Sequence, residues 1–147
     1  SYAYYIVEGL FKSASNGATI ETRFRDGGGS LSGGNYNFSN LRWEAGSGSP
    51  QLSTGSGENH ADIADGVGTR VFSFYGHIFP AGTIGNQGIS ICDWTGKISA
   101  YASGSRNIRK ISGVFEYVSS TVPDGIQIVN QTANFEDYEM RIYGVTR

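Results

Sequence analysis

The 147-residue chain carries a formal net charge of -2 and combines 22 glycines, nine tyrosines and eight phenylalanines with one methionine and one cysteine. With only three lysines, it lacks the clustered basic residues needed for affinity based on neutralising phosphates, so nucleic acid is not an expected partner. A lone Cys92 excludes an intrachain disulfide and a multi-cysteine zinc site, and no apolar run has the length of a membrane-spanning helix.

The length suits one domain over residues 1–147, able to bury a core without disulfide or metal. Aromatic and glycine content favours strands and tight turns over helices. The chain enters a strand at once, YAYYIVEGLFK, without an initiating Met, which leads us to expect a piece of a longer protein. The next strand is ATIETRFR, where Ile20, Thr22 and Phe24 alternate with Glu21, Arg23 and Arg25. The Asn16-Gly17 step between the two is a hairpin signal. DGGGSLSGG loses much backbone freedom on ordering and is expected to be a loop, after which NYNFSNLRWE resumes pairing. The polar segment from Ala45 to Asp62 reads as a long loop crossing one sandwich, because neither side of it alone has enough apolar residues for a core. Six further strands follow: TRVFSFYGHIF, QGISICDW, KISAYAS, RNIRKISGVFEYV, GIQIVNQ and DYEMRIYGV.

About nine short strands with regular turns predict an all-β fold, two packed antiparallel sheets. The closing strand illustrates the period. Tyr138, Met140, Ile142 and Gly144 share one face and Glu139, Arg141, Tyr143 and Val145 the other, so the strand is expected to be half-buried with Tyr138, Met140 and Ile142 inward.

YGHIFPAG followed by SGVFEYVSSTVPDGIQIVNQTANFEDYEMRIYGV resembles the recurrent end module of bacteriophage tail fibres and tailspikes. Gly125, Ile126 and Ile128 match its penultimate strand, and Ile142, Tyr143 and Gly144 its last. The match runs from Thr69 onward and rests on order and spacing. It implies a jelly-roll β-sandwich, commonly trimeric, on a virion appendage that touches a bacterial surface polysaccharide or lipopolysaccharide; with no catalytic motif and no long apolar run in the sequence, we expect no enzymatic activity, no cofactor and no membrane insertion. A ligand-free trimerisation or capping module, and a carbohydrate-binding module appended to a glycoside hydrolase, are the alternatives.

For glycan contact, Trp43 and Trp94 come first, because an indole face stacks on the C–H face of a pyranose. Trp94 follows Ser90 and Cys92 in the alternation and packs equally well in a core. Tyr101 and Tyr143 are further platforms, as are Tyr2, Tyr4 and Tyr5. No metal site is expected, although Asn59, Asp62 and Asp65 in a turn-rich loop are the residues that offer oxygen ligands to a hard cation such as calcium; the same residues are ordinary turn formers. His60 and His77 lie too far apart in sequence to argue a zinc site. No GxSxG elbow, HExxH or phosphate-binding glycine loop occurs. Asp93, Glu116, Glu136 and Asp137 are the carboxylates that glycan hydrolysis would need, and solvated strand faces explain all of them.

Overall fold

A computed structural model of the chain describes residues 2–14, 19–45, 49–64, 71–82, 88–99, 108–132 and 134–146. The described residues form strands and turns only: β1 (Tyr4–Ser13), β2 (Ile20–Asp26), β3 (Gly29–Ser30), β4 (Tyr36–Glu44), β5 (Gln51–Glu58), β6 (Ala61–Ala64), β7 (Val71–Phe79), β8 (Ile89–Ser99), β9 (Ile108–Val118), β10 (Gly125–Asn130) and β11 (Phe135–Val145). They build a seven-stranded sheet, β11-β1-β7-β8-β9-β4-β5, and a small sheet in which β2 pairs with β10 on one side and with β3 and β6 on the other. Every pairing is antiparallel. The fold is therefore the all-β antiparallel class expected, a β-sandwich. Its strand order, with β7, β8 and β9 as a meander within one sheet, does not by itself establish a jelly roll.

Alternation explains which residues enter the core. In β7, Phe72, Phe74 and Ile78 point inward while Val71, Ser73, Tyr75 and His77 point away. From the large sheet Val7, Phe11, Trp94, Ile98, Phe38 and Phe115 join them, and Ile20, Phe24, Ile63 and Ile126 come from the small one. Close approach shapes the inner face as well. A Cβ on Gly96 would lie 2.6 Å from the Phe72 ring and 2.8 Å from the Ser73 carbonyl, so only glycine lets that ring lie flat on β8.

Two buried polar links tie the sheets together where apolar contact alone would leave the register loose. Tyr36, on β4, is fully buried; its hydroxyl accepts a hydrogen bond from the Phe24 amide at 2.7 Å and donates to the Leu31 carbonyl at 3.0 Å. This hydroxyl sits where β2 has no strand partner, between its pairing with β3 at Arg25 and Asp26 and its pairing with β6 at Ile20 to Thr22. Asn130 Nδ2 donates to Ser13 Oγ at 2.8 Å, joining β10 to β1. Burial pushes the Tyr36 hydroxyl well above the ordinary tyrosine range, so it stays protonated as a donor.

Several expectations are corrected. The strands flanking Asn16-Gly17 lie in different sheets and do not form a hairpin. The glycine-rich DGGGSLSGG stretch contains β3, with Gly27 and Gly28 at φ 56° and 84° making the turn before it. Most of the polar segment is strand too. β5 is an edge strand and β6 starts at Ala61, because backbone pairing with β4 and β2 compensates for the lack of apolar side chains. The described parts of QGISICDW and KISAYAS lie in one strand, β8, Ile89–Ser99. β11 is not half-buried. Its pairing sets Tyr138, Met140 and Ile142 opposite Phe11, Gly9 and Val7, the face read from the sequence, yet β11 is the edge strand and all three stay exposed, Ile142 at 46%.

Two outcomes follow for stability. Replacing Tyr36 by Phe keeps the ring but orphans the Phe24 amide and the Leu31 carbonyl, and should cost about 1–3 kcal/mol in urea unfolding. Ile142→Asp should leave a cooperative melt, with a loss far below the roughly 3–5 kcal/mol expected for Phe24→Ala. Cys92 is fully buried, and burial, with Asp93 beside it, pushes its thiol well above the usual range. A thiol reagent should therefore label it only after unfolding, and labelling of the native protein at the rate of a free thiol would contradict this packing.

Candidate functional site

The outward face of the large sheet carries the exposed chemistry. Cross-strand register aligns Arg141, Glu8, Tyr75 and Thr95 in one row and Tyr143, Ile6, His77 and Asp93 in the next, running from β11 across β1 and β7 to β8. Each residue faces outward because its neighbours in sequence, such as Val7, Phe74, Gly76 and Trp94, face the core.

Hydrogen bonds hold this surface in shape. Tyr143 donates its hydroxyl to Glu8 Oε1 at 2.9 Å, and Arg141 contacts the Glu139 carboxylate. Tyr143 first, and Glu139 second, hold the Arg141 guanidinium charged more firmly than usual. His77 Nδ1 lies 3.1 Å from Asp93 Oδ1, and its Nε2 lies 3.5 Å from the Tyr75 hydroxyl. The Tyr75 ring stands edge-on to the imidazole at 88°, and the Tyr4 ring packs against His77 and Phe79. Between β1, β7 and β11 this arrangement leaves a groove of about 280 Å³ lined by Glu8, Leu10, Ser73, Tyr75, Glu139 and Arg141. A wider, shallower depression of about 450 Å³, lined by Ser39, Asp93, Thr95, Ser112 and Val114, continues across β8, β9 and β4.

The groove combines an exposed aromatic ring, two carboxylates that accept hydrogen bonds and a guanidinium that donates them. A ring gives a sugar an apolar platform, and fixed acceptors and donors select hydroxyl positions.

The sequence candidates divide. Tyr143 lies in this site. Trp43 faces outward at 40% exposure on β4, with Lys110 Nζ 5.8 Å from its ring centroid, but it lies several strands from the groove. Trp94 is corrected as a sugar platform. It is 5% exposed and stacked on Phe74 at 5.6 Å, so its indole faces are occupied by the core. Tyr101 and Asp65 fall outside the described residues. Asn59 Oδ1 accepts from the Gly33 and Gly34 amides at 3.2 and 2.9 Å, a loop-closing role rather than a cation ligand. Asp62 lies instead beside His60 and Glu21.

The four carboxylates considered for hydrolysis do not gather at one point. Asp93 faces His77, Glu116 accepts from Asn37 Nδ2 at 2.8 Å, Glu136 pairs with Lys12 at 2.9 Å and Asp137 stands opposite Lys12 in the register. Sequence reasoning passed over Tyr75, Glu8 and Arg141 as site residues. Alternation in VFSFYGHIF already separates Tyr75 and His77 from Phe72 and Phe74, but that β1 lies between β7 and β11 is a long-range pairing with no local signal. Compared with known proteins, the chain matches no protein-family model and no curated protein.

Proposed function

We propose that this chain is a non-enzymatic module of a phage tail fibre or tailspike that binds a bacterial surface polysaccharide or lipopolysaccharide in the outward groove of its large sheet. The observation that carries the reading is the groove itself, where the exposed Tyr75 ring lies among Glu8, Glu139 and Arg141 on a rigid sheet. The resemblance of the region from Thr69 onward to fibre end modules supports the virion context. Weak single sites suit this role, since copies displayed on one stalk raise avidity without a tight monomer site.

The homotrimer that such modules form has support in the row Tyr138, Met140 and Ile142, apolar side chains on an edge strand that stay 69%, 38% and 46% exposed. That same row favours the second reading, an assembly or capping module without a ligand.

On a glycan array, Tyr75→Ala and Arg141→Gln should each abolish binding of the recognised glycan while leaving the melting temperature unchanged. Loss of binding in Trp43→Ala alone would move the site to the far side of the sheet, and an empty array with the wild-type protein would favour the capping reading. Light scattering should give a trimer mass at micromolar concentration, reduced by Ile142→Asp. A monomer mass for the wild type would remove the trimer from the proposal.

A further inference from the structure

On the small sheet, Glu21 of β2 stands directly opposite Asp62 of β6. Like charges in a direct cross-strand pair destabilise a sheet, and Glu21 is 1% exposed, so water does little to screen it. One oxygen is served: Arg23 Nη2 lies 3.1 Å from Glu21 Oε2. The other, Oε1, and Asp62 Oδ1 converge on a single imidazole atom, His60 Nε2, at 3.1 and 3.3 Å.

One nitrogen is poorly matched to two carboxylates. If Nε2 carries a proton, that N–H points in one direction and bonds well to one oxygen; if it does not, its lone pair meets two negative charges. A cation at the centre suits all three atoms, which lie within 4.8 Å of one another. In a tetrahedral site with bonds of about 2.0–2.1 Å, donors lie about 3.3 Å apart, close to the 3.1 and 3.3 Å separations from Nε2.

We infer that Glu21, His60 and Asp62 form a binding site for a divalent metal ion of the zinc class. The imidazole selects among cations, since calcium and magnesium prefer oxygen-only ligand sets and zinc takes nitrogen with carboxylate oxygen. This site is separate from the outward groove, on the other sheet, and does not depend on the glycan reading. It also differs from a calcium loop of Asn59, Asp62 and Asp65, since it uses β2 and His60.

The test is isothermal titration of the metal-free protein with zinc chloride, with Co²⁺ as a spectroscopic substitute. One equivalent of zinc is expected to bind, to raise the melting temperature and, as Co²⁺, to give the strong visible bands of tetrahedral coordination. His60→Ala and Asp62→Asn should each weaken binding by more than the roughly 10–100-fold that loss of a supporting group costs, while the metal-free melting curves stay near wild type. The inference is overturned if zinc does not bind below millimolar concentration, if calcium binds as tightly, if His60→Ala retains wild-type affinity, or if His77→Ala removes the binding. Glycan binding measured with and without chelator keeps the two sites apart, because failure of one leaves the other intact.

Discussion

The buried Tyr36 hydroxyl determines how the two sheets meet. The small sheet is short of partners on one side of β2, where β3 and β6 pair with its two ends and leave the Phe24 amide between them. By accepting from that amide and donating to the Leu31 carbonyl, a side chain of β4 completes a backbone ladder in the opposite layer. A buried unpaired amide is costly, so the bond holds the position of β2 relative to β4. Phe24 then stacks against Tyr36 and packs on Phe115, and the centre of the core is set at that point.

The small sheet, so placed, is narrower than the seven-stranded sheet it covers. The difference decides what each large-sheet residue does. Under β2 and its partners, inward side chains such as Phe74 and Trp94 are closed off from water. At the β11 edge the same inward direction leads to open surface, and Tyr138, Met140 and Ile142 remain exposed although their alternation matches a core strand. Direction and burial are separate properties of a strand residue. The first comes from the two-residue period and the second from what lies above.

The two polar clusters, one on each sheet, have different characters. On the outward face of the large sheet, Glu8, Arg141, Tyr143 and the His77–Asp93 pair are partly exposed, and water competes with each contact. That suits reversible recognition of a polar ligand, since little desolvation is required on either side. In the Glu21 cluster the Glu21 carboxylate is buried while the His60 and Asp62 side chains are 22% and 40% exposed, so the Glu21 charge is expensive unless matched, which favours a small ion of high charge over an extended ligand.

The fold class and most strand positions were legible in the sequence, because the two-residue period in stretches such as VFSFYGHIF and ATIETRFR is a local property, dictated by residues next to one another in the chain. The sequence also separated the two faces of β11 as the register has them, though not their burial. Tertiary structure alone decided that the polar QLSTGSGE segment is strand, since its order comes from pairing with β4, and that Trp94 is core while Trp43 is surface, since both occupy similar aromatic positions in their strands. The groove was illegible for the same reason: Arg141, Glu8 and Tyr75 become neighbours only because β11, β1 and β7 lie side by side. Asn16-Gly17 misled because turn chemistry says that the chain can reverse, while the choice between pairing in one sheet and crossing to the other is made by distant strands competing for the same edge.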